Sequence, residues 1–288
     1  MSNINPKCLE GLTIVDEFKP ETSCFQGVEG AWSHIATRKM FPDSLWINAP
    51  TFKDVFISVN EGRANVGIVP IDNTTAGAVS EVYESLIKYN LHIVNSYNLP
   101  VSQCLAANTN DLSKITRVFS HPQALAQCAL LLETLNVEIL PSPNTAVAAQ
   151  NILKSRNMND AVLCSADAAR LYGLHILIAD ANDSKFNQTR FIAVTKSKII
   201  LRNADRISLY LILPHQSGSL FSVISAFNDF NMNLTKIQSR PLPEKPWEYC
   251  FYLDFEGNIE DPNTKLILSK LEEDLPIFKF LGNYSEIS

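Results

Sequence analysis

The sequence predicts an α/β protein in which a two-lobed domain precedes a smaller domain with the element order βαββαβ. Short apolar runs alternate with helical stretches from Thr22 to Val194, which is typical of mostly parallel sheets. This region divides into two successive α/β blocks, so we expect two lobes with a cleft between them. The order of elements after residue 205 matches the ferredoxin-like arrangement.

The periodicity of apolar residues places the elements of each block. In the first block these are strand 23–27, helix 31–40, the apolar pair Trp46 and Ile47, helix 52–59, strand 64–70, helix 77–89, and strands 91–97 and 101–107. In the second block they are strand 117–120, helix 122–135, strand 137–140, helix 145–154, strand 161–164, helix 166–172 and strand 174–179.

The charged stretch from Lys196 to Arg206 predicts a domain boundary. The elements predicted after it are strand 207–213, helix 220–230, strands 234–239 and 249–255, helix 263–275 and strand 278–281. The predicted domains are a loose, polar extension at 1–21, a first domain at 22–200 and a second at 206–288. Within the first domain, lobe 1 is predicted at 22–100 plus 190–200, and lobe 2 at 101–189.

Composition restricts the class of protein. Of 288 residues, 46% are apolar and 19% charged, and the formal charge is −6, which fits a soluble globular enzyme and argues against a nucleic-acid binder. No apolar run approaches the ~20 residues of a membrane span. The start of the chain lacks a signal pattern, so we expect a cytoplasmic protein with no membrane partner.

The six cysteines are scattered, which favours reduced thiols over disulfides or a metal site.

Four loops that follow strands supply candidate binding groups. Residues 27–34 contain two glycines before a helix start, which fits either a tight turn or an anion site that includes Ser33. Residues 141–145 fit a helix cap, with Thr145 as a lesser candidate for a binding residue.

The two other loops carry more polar groups. Asp72, Asn73 and Thr74 follow a buried strand, and capping alone needs only one of them, so we favour a binding site. In the segment that contains Ser120 and Gln123, Ser120 fits a helix cap, while the helix N-terminus and Gln123 are suited to a carboxylate.

The stretch from Asn187 to Phe191 is the centre of the prediction, because it opens a strand that follows both lobes and is placed to line the cleft. Alternation along the strand puts Thr189 and Phe191 on one face and Arg190 on the other. The candidates form no nucleophile–base pair and no metal-ligand spacing. Neutral donors and helix ends are suited to binding a small anion and stabilising developing charge.

Together these segments resemble the prephenate dehydratase family. The matching segments are Gly27–His34, Val69–Thr74, Ser120–Cys128, Tyr172–Leu174 and Asn187–Phe191 and, in a tail that resembles an ACT regulatory domain, Gly218–Phe221, Gln238–Pro241 and Leu281–Tyr284. The resemblance implies a catalytic domain like a periplasmic binding protein followed by a ferredoxin-like ACT domain.

The family converts prephenate to phenylpyruvate without a cofactor, on the route to phenylalanine. The resemblance implies that Thr189 is required, and we hypothesise that its hydroxyl donates a hydrogen bond to the departing ring oxygen. Arg190 fits either a substrate carboxylate or a structural ion pair. The expected substrate-binding residues are Ser33, Asp72, Asn73, Thr74, Ser120, Gln123, Thr145, Arg190 and Phe191.

The ACT resemblance implies regulation by L-phenylalanine and a homodimer or homotetramer. Gln238 stands where the family has Glu, so the direction of regulation is left open. The residues expected to bind the effector are Gly218, Leu220, Asn233, Leu234, Ser239 and Arg240.

Three alternatives are weighed against the prephenate dehydratase interpretation. Arogenate dehydratase performs the same chemistry on an aminated substrate and is the nearest rival. A prephenate decarboxylase is disfavoured by the presence of Thr189. A non-catalytic amino-acid sensor is disfavoured by the intact segments Ser120–Gln123 and Thr189–Phe191.

Overall fold

The computed structural model describes residues 6–242 and 244–287. Residues 1–5 of the predicted extension, and 243 and 288 of the predicted second domain, lie outside the described residues. The chain forms two compact units. The two-lobed unit comprises Pro20–Ser85 and Tyr97–Ile192, and the terminal unit comprises Leu86–Ser96 and Ala193–Ile287 with the described part of Met1–Lys19. The predicted domain boundaries do not coincide with this grouping and stay a prediction.

The elements are numbered in chain order. The strands are β1 (Thr13–Val15), β2 (Thr22–Gln26), β3 (Leu45–Ala49), β4 (Val66–Asn73), β5 (Gly77–Ala78), β6 (His92–Pro100), β7 (Gln103–Ala107), β8 (Arg117–Ser120), β9 (Glu138–Pro141), β10 (Asp160–Ser165), β11 (His175–Ile178), β12 (Gln188–Thr195), β13 (Ile199–Leu201), β14 (Arg206–Ile212), β15 (Leu234–Leu242), β16 (Lys245–Glu256) and β17 (Ile277–Ile287). The α-helices are α1 (Trp32–Met40), α2 (Phe52–Asn60), α3 (Ser80–Tyr89), α4 (Pro122–Ala126), α5 (Ala129–Leu135), α6 (Thr145–Ser155), α7 (Ala166–Leu171), α8 (Ser219–Asp229) and α9 (Pro262–Asp274).

Lobe 1 of the two-lobed unit is built on strands in the order β3-β2-β4-β12, with β5 paired to β4. Strand β2 runs parallel to both β3 and β4. The apolar run of β4 is buried, with Val66, Ile68 and Val69 at 0% exposure, because α1 and α2 pack against this sheet. A capping box between Thr51 and Asp54 begins α2, which satisfies N–H groups that a helix start otherwise leaves unpaired.

Lobe 2 is a mixed five-stranded sheet in the order β11-β7-β10-β8-β9. Strand β7 is antiparallel to β10 and β11, whereas β8 is parallel to β10 and β9. Helix α6 packs on β10, and their small residues, among them Ala148 and Ala149, allow a close approach within one apolar cluster. The expected mostly parallel pairing therefore does not hold for β7.

The predicted helix at 122–135 is interrupted in the structure. Helix α4 ends at Ala126, and α5 begins at Ala129 after a non-helical Cys128 (φ −124°, ψ 26°). Asp183 causes the break: its N–H donates to the Gln127 carbonyl at 2.8 Å, and its carboxylate accepts from the N–H of Leu130 at 3.3 Å. A distant loop thus supplies the cap of α5.

The terminal unit contains β14, α8, β15, β16, α9 and β17 in the predicted βαββαβ order, which confirms that part of the fold class. Its strands lie in the order β15-β16-β14-β17-β6. Helix α9 packs on β17, and Phe227, Phe255 and Ile267 are buried in one core. Gly282 allows β17 to approach β6, because a Cβ there would overlap the carbonyl oxygen of Ile93.

The interpretation of residues 1–21 as a loose extension is wrong for the described part. Strand β1 pairs in parallel with β13. Strand β13 was not predicted, because it lies within the charged stretch from Lys196 to Arg206. Leu9 is only 8% exposed and lies in the apolar core of the terminal unit. Isolated apolar residues in a polar segment are enough to anchor it, because each buries its side chain in an existing core. In the part of the chain that the structure describes, no helix is long and apolar enough to cross a membrane.

We predict that His92 makes the stability of the protein fall in acid. His92 is 8% exposed, its Nδ1 has no hydrogen-bond partner, and burial lowers its pKa from 6.5 to about 4. The folded state therefore holds the neutral ring, while the unfolded state takes up a proton below pH 6.5. Stability contributed by neutral His92 is complete above that pH and falls by roughly 3 kcal/mol as the pH drops to about 4.

Urea unfolding between pH 4 and 7.5, measured for the wild type and His92→Gln, checks this. The variant should lose less stability in acid, and the exposed His175→Gln serves as the matched control. The same pH dependence in wild type and His92→Gln would contradict the assignment.

Candidate functional site

A cavity of about 420 Å³ lies in the two-lobed unit, between its lobes. Lobe 1 lines it with the start of α1 and the turn between β4 and β5, and lobe 2 with β7 and the starts of α4 and α6. Strand β12 contributes Thr189 and Phe191, and Arg190 is not among the lining residues. This is the alternation expected of a strand.

Four side chains form a closed ring of hydrogen bonds that joins the lobes beside this cavity. Asn73 Nδ2 donates to Asn187 Oδ1 at 2.9 Å, and Asn187 Nδ2 donates to Gln127 Oε1 at 3.0 Å. Gln127 Nε2 donates to Thr75 Oγ1 at 3.0 Å, and Thr75 Oγ1 donates to Asn73 Oδ1 at 2.7 Å. We call these four residues the amide ring. Each donates to the next, so the orientation of every amide is determined by its neighbour.

The amide ring also orients Thr189. Asn73 Nδ2 donates to Thr189 Oγ1 at 2.8 Å. Asn73 Oδ1 accepts in addition from the N–H groups of Thr75 at 3.0 Å and Ala76 at 2.9 Å, so the amide cannot be reversed without losing these bonds. Thr189 Oγ1 is therefore an acceptor toward Asn73, and its own proton is available for an acceptor in the cavity.

Helix N-termini face the cavity from both lobes. Ala31 precedes α1 and provides no side-chain cap, while Asn144 precedes α6 and accepts from the N–H groups of Ala146 and Val147. Ala31, Asn144 and Thr145 all line the cavity. The partial positive charge of helix N-termini favours bound anions.

His121 is the only titratable side chain among the cavity-lining residues that the structure describes. It caps α4, since its Nδ1 accepts from the N–H of Gln123 at 3.2 Å. Burial lowers the pKa of His121 below its usual 6.5, so at pH 7 the ring is neutral and carries its proton on Nε2. The cavity thus offers hydrogen bonds and helix dipoles without a fixed charge.

Six of the predicted catalytic and substrate-binding residues line this cavity. They are Ser33, Asn73, Gln123, Thr145, Thr189 and Phe191. Asp72, Thr74, Ser120 and Arg190 are not among the lining residues. Asp72 lies opposite Ala78 where β4 pairs with β5.

Ser120 and Thr74 have structural hydrogen bonds instead. Ser120 is fully buried and donates to the Leu163 carbonyl at 2.6 Å, so it neither reaches the cavity nor caps α4, and the expected capping role belongs to His121. Thr74 Oγ1 donates to the Phe186 carbonyl at 2.9 Å and accepts from the N–H of Gln188 at 2.9 Å. Thr74 therefore holds the turn after β4 to the start of β12.

Sequence reasoning missed Gln127, Asn187, Trp32 and Gln103. Gln127 lies four residues after Gln123, a spacing that puts both side chains on one helix face, and this spacing could have identified it. Asn187 was within the central motif, but its 3% exposure and its place in the amide ring depend on contacts with distant residues. Trp32 and Gln103 line the cavity; Trp32 lies within the candidate segment Gly27–His34, whereas Gln103 had no distinguishing signal.

The predicted effector residues lie in the terminal unit. Gly218 precedes α8 with φ +86°, a left-handed conformation that favours glycine. Leu234, Ser239 and Arg240 lie on β15, where Gln238 Nε2 donates to the Ser239 carbonyl at 3.1 Å. Leu220 and Asn233 lie on α8 and directly before β15. Their role as an effector site stays a prediction.

A two-lobed α/β unit with a neutral, donor-lined cavity, together with a βαββαβ unit, defines a protein that binds a small ligand between two lobes. The family model for prephenate dehydratase matches residues 23–199. The chain belongs to this family, and it is an enzyme of the prephenate/arogenate dehydratase group.

Two curated relatives differ in their substrates. Arogenate dehydratase 1 of Petunia hybrida is 33% identical over 302 residues, covering 99% of this chain and 70% of that protein. The bifunctional chorismate mutase/prephenate dehydratase of Escherichia coli is 31% identical over 268 residues, covering 90% of this chain and 69% of that protein.

Two solved structures share the fold, which confirms the predicted fold class. Prephenate dehydratase from Arthrobacter aurescens, solved with L-Phe, has a TM-score of 0.84 at 27% identity and covers 92% of this chain and 89% of its own. GqqA, described as a quorum-quenching acylase, also has a TM-score of 0.84 at 27% identity and covers 92% of this chain and 98% of its own.

Proposed function

We propose that this enzyme converts prephenate to phenylpyruvate, with Thr189 as the catalytic hydroxyl. The observation that carries the proposal is the hydrogen bond from Asn73 Nδ2 to Thr189 Oγ1, which leaves the threonine proton for a substrate oxygen in the cavity. The expected cytoplasmic location stays a prediction.

The reaction needs little more than correct placement of a dianion and a donor for its leaving group. Prephenate carries a carboxylate and a pyruvyl group on one ring carbon and a hydroxyl on the opposite one. The bond to the carboxylate breaks to release carbon dioxide, and its electron pair moves through the ring and expels hydroxide. The departing oxygen takes one proton, supplied by water, and the ring becomes aromatic.

Thr189 acts at the departing oxygen. A threonine hydroxyl is too weak an acid to transfer its proton fully, so it donates a hydrogen bond that strengthens as negative charge develops. The hydrogen bond that Thr189 accepts from Asn73 makes its O–H a stronger donor through polarisation. In this proposal, the partial positive charges at the starts of α1 and α6 attract the two carboxylates.

The neutral cavity favours prephenate over arogenate. Arogenate carries an ammonium group where prephenate has a keto oxygen, and a desolvated ammonium needs an acceptor of opposite charge. Within the described residues, no Asp or Glu lines the cavity. The keto oxygen of prephenate instead accepts hydrogen bonds, which the neutral donors here supply.

Initial rates with prephenate and arogenate test the substrate. We expect kcat/KM to be at least about tenfold higher for prephenate than for arogenate. This factor corresponds to the free energy of one lost hydrogen bond to a charged group. Phenylpyruvate absorbance and phenylalanine release are the two readouts. A higher kcat/KM for arogenate would make the protein an arogenate dehydratase, and no turnover of either substrate would reject the proposed function.

Replacing Thr189 tests the catalytic hydroxyl. Thr189→Ala and the nearly isosteric Thr189→Val should lower kcat by ~10²–10³, because each removes one donor to developing charge. Thr189→Ser keeps the hydroxyl and should retain most of the activity. Thermal unfolding of each variant controls for folding, and near-normal turnover of Thr189→Ala in a folded protein would exclude this role.

Regulation by L-phenylalanine, in a homodimer or homotetramer, is the second part of the proposal. It is supported by the βαββαβ order of the terminal unit and by the relative solved with L-Phe. The proposed effector site comprises Gly218, Leu220, Asn233, Leu234, Ser239 and Arg240. We keep the domain boundaries 22–200 and 206–288 as part of this proposal.

Calorimetric titration with millimolar L-phenylalanine tests the effector site. We expect binding heat for the wild type and for Thr189→Ala, whose altered residue lies in the two-lobed unit, and a loss of most of this heat for Arg240→Ala. Heat lost in Thr189→Ala but kept in Arg240→Ala would place the binding in the catalytic cavity instead. No heat with wild type would reject the effector.

A further inference from the structure

The turn from Gly27 to Gly30, which leads into α1, is held by hydroxyl groups of lobe 2. Tyr172 Oη donates to the Glu29 carbonyl at 2.5 Å. Ser165 Oγ donates to the Gly30 carbonyl at 3.1 Å. Two consecutive carbonyl groups of lobe 1 are therefore hydrogen-bonded across the lobes, at residues outside the amide ring.

Both hydroxyl groups are themselves oriented within lobe 2. Gln150 Nε2 donates to Tyr172 Oη at 2.9 Å, and the N–H of Ala168 donates to Ser165 Oγ at 3.0 Å. Because each oxygen already accepts a hydrogen bond, its own proton points toward the turn. Gln150 lies on α6, the helix whose first residue, Thr145, lines the cavity.

At its two glycines, the turn also packs closely against lobe 2. Gly30 has φ +84°, and a Cβ added there would lie 3.0 Å from the Cβ of Ala168. A Cβ added at Gly27 would lie 3.3 Å from Asn144 Nδ2. Because these positions are glycines, the turn can approach lobe 2 closely. A shift of Ala168 or Asn144 would therefore displace the turn.

The residues directly after the turn, Ala31, Trp32 and Ser33, line the cavity. We propose that Tyr172 is a positioning residue for the reaction: its hydroxyl, held by Gln150, fixes the Glu29 carbonyl and thereby the N-terminus of α1 against the substrate. This inference rests on the proposed function. It adds to the residues needed for the reaction one, Tyr172, that does not line the cavity.

Kinetics of a double-mutant cycle test the role. Tyr172→Phe keeps the ring but removes the hydroxyl, and Gln150→Met removes the amide that orients it. Each should raise KM for prephenate roughly three- to tenfold, which corresponds to the net free energy of one hydrogen bond. Both should leave kcat within about twofold, because α1 holds the substrate before and during the reaction.

The double variant separates positioning from general loss of packing. If Gln150 acts through Tyr172, the double variant should raise KM no more than Tyr172→Phe alone, whereas independent packing losses would multiply. Tyr249→Phe, at a 44% exposed position in the terminal unit, is the matched control and should change neither constant. Unchanged KM in folded Tyr172→Phe, or multiplied effects in the double variant, overturns the proposal.

Hydrogen–deuterium exchange of the protein without substrate gives a second readout. Tyr172→Phe should speed amide exchange several-fold in the segment 27–35, while Tyr249→Phe should leave it unchanged. If the wild type turns over neither substrate, the proposed function fails and this measurement alone decides whether Tyr172 holds the turn. Unchanged exchange in that case overturns the inference.

Discussion

The candidate site depends on one closed circuit of hydrogen bonds, the amide ring of Asn73, Thr75, Gln127 and Asn187. Because each member donates to the next, no single amide can rotate without breaking two bonds. The ring therefore orients Asn73, and Asn73 in turn makes Thr189 an acceptor on one side and a donor on the other. Without this circuit the Thr189 hydroxyl would have no defined direction, and a donor without direction contributes little to a transition state.

The absence of fixed charge among the lining residues that are described fits this kind of chemistry. A dianion in a site of strong positive charge is stabilised before the reaction as well as during it, and such uniform binding does not raise kcat. In the proposed reaction, helix N-termini and neutral donors hold the carboxylates more weakly, and the role that we propose for Thr189 is to favour the charge that develops on the departing oxygen. The net charge of −6 gives no long-range attraction, so recognition depends on these local groups.

The sequence predicted most elements correctly, because burial of one face makes apolar residues recur at regular spacing along strands and helices. It failed where distant residues decide local structure. Asp183 divides the helix predicted at 122–135, and Leu9 anchors a segment that composition described as loose. At the site, Asn73 was predicted because it follows a buried strand, and Thr189 because it opens a strand in a motif that resembles the prephenate dehydratase family. The amide ring was not found, because three of its four bonds join residues 52 to 114 positions apart and no local pattern in the sequence indicates such a pairing.

Among the described residues, hydrogen bonds join the two lobes at the amide ring and at the turn before α1, and each place adjoins residues that line the cavity. A protein held at one point can still open and close around it, whereas two separate sets of bonds restrict that motion. These two sets of bonds favour a cavity that is formed before substrate enters, which reduces the cost of ordering side chains on binding. Such preorganisation is what an uncharged site requires, since hydrogen bonds to a departing oxygen act strongly only when the donors are already in position.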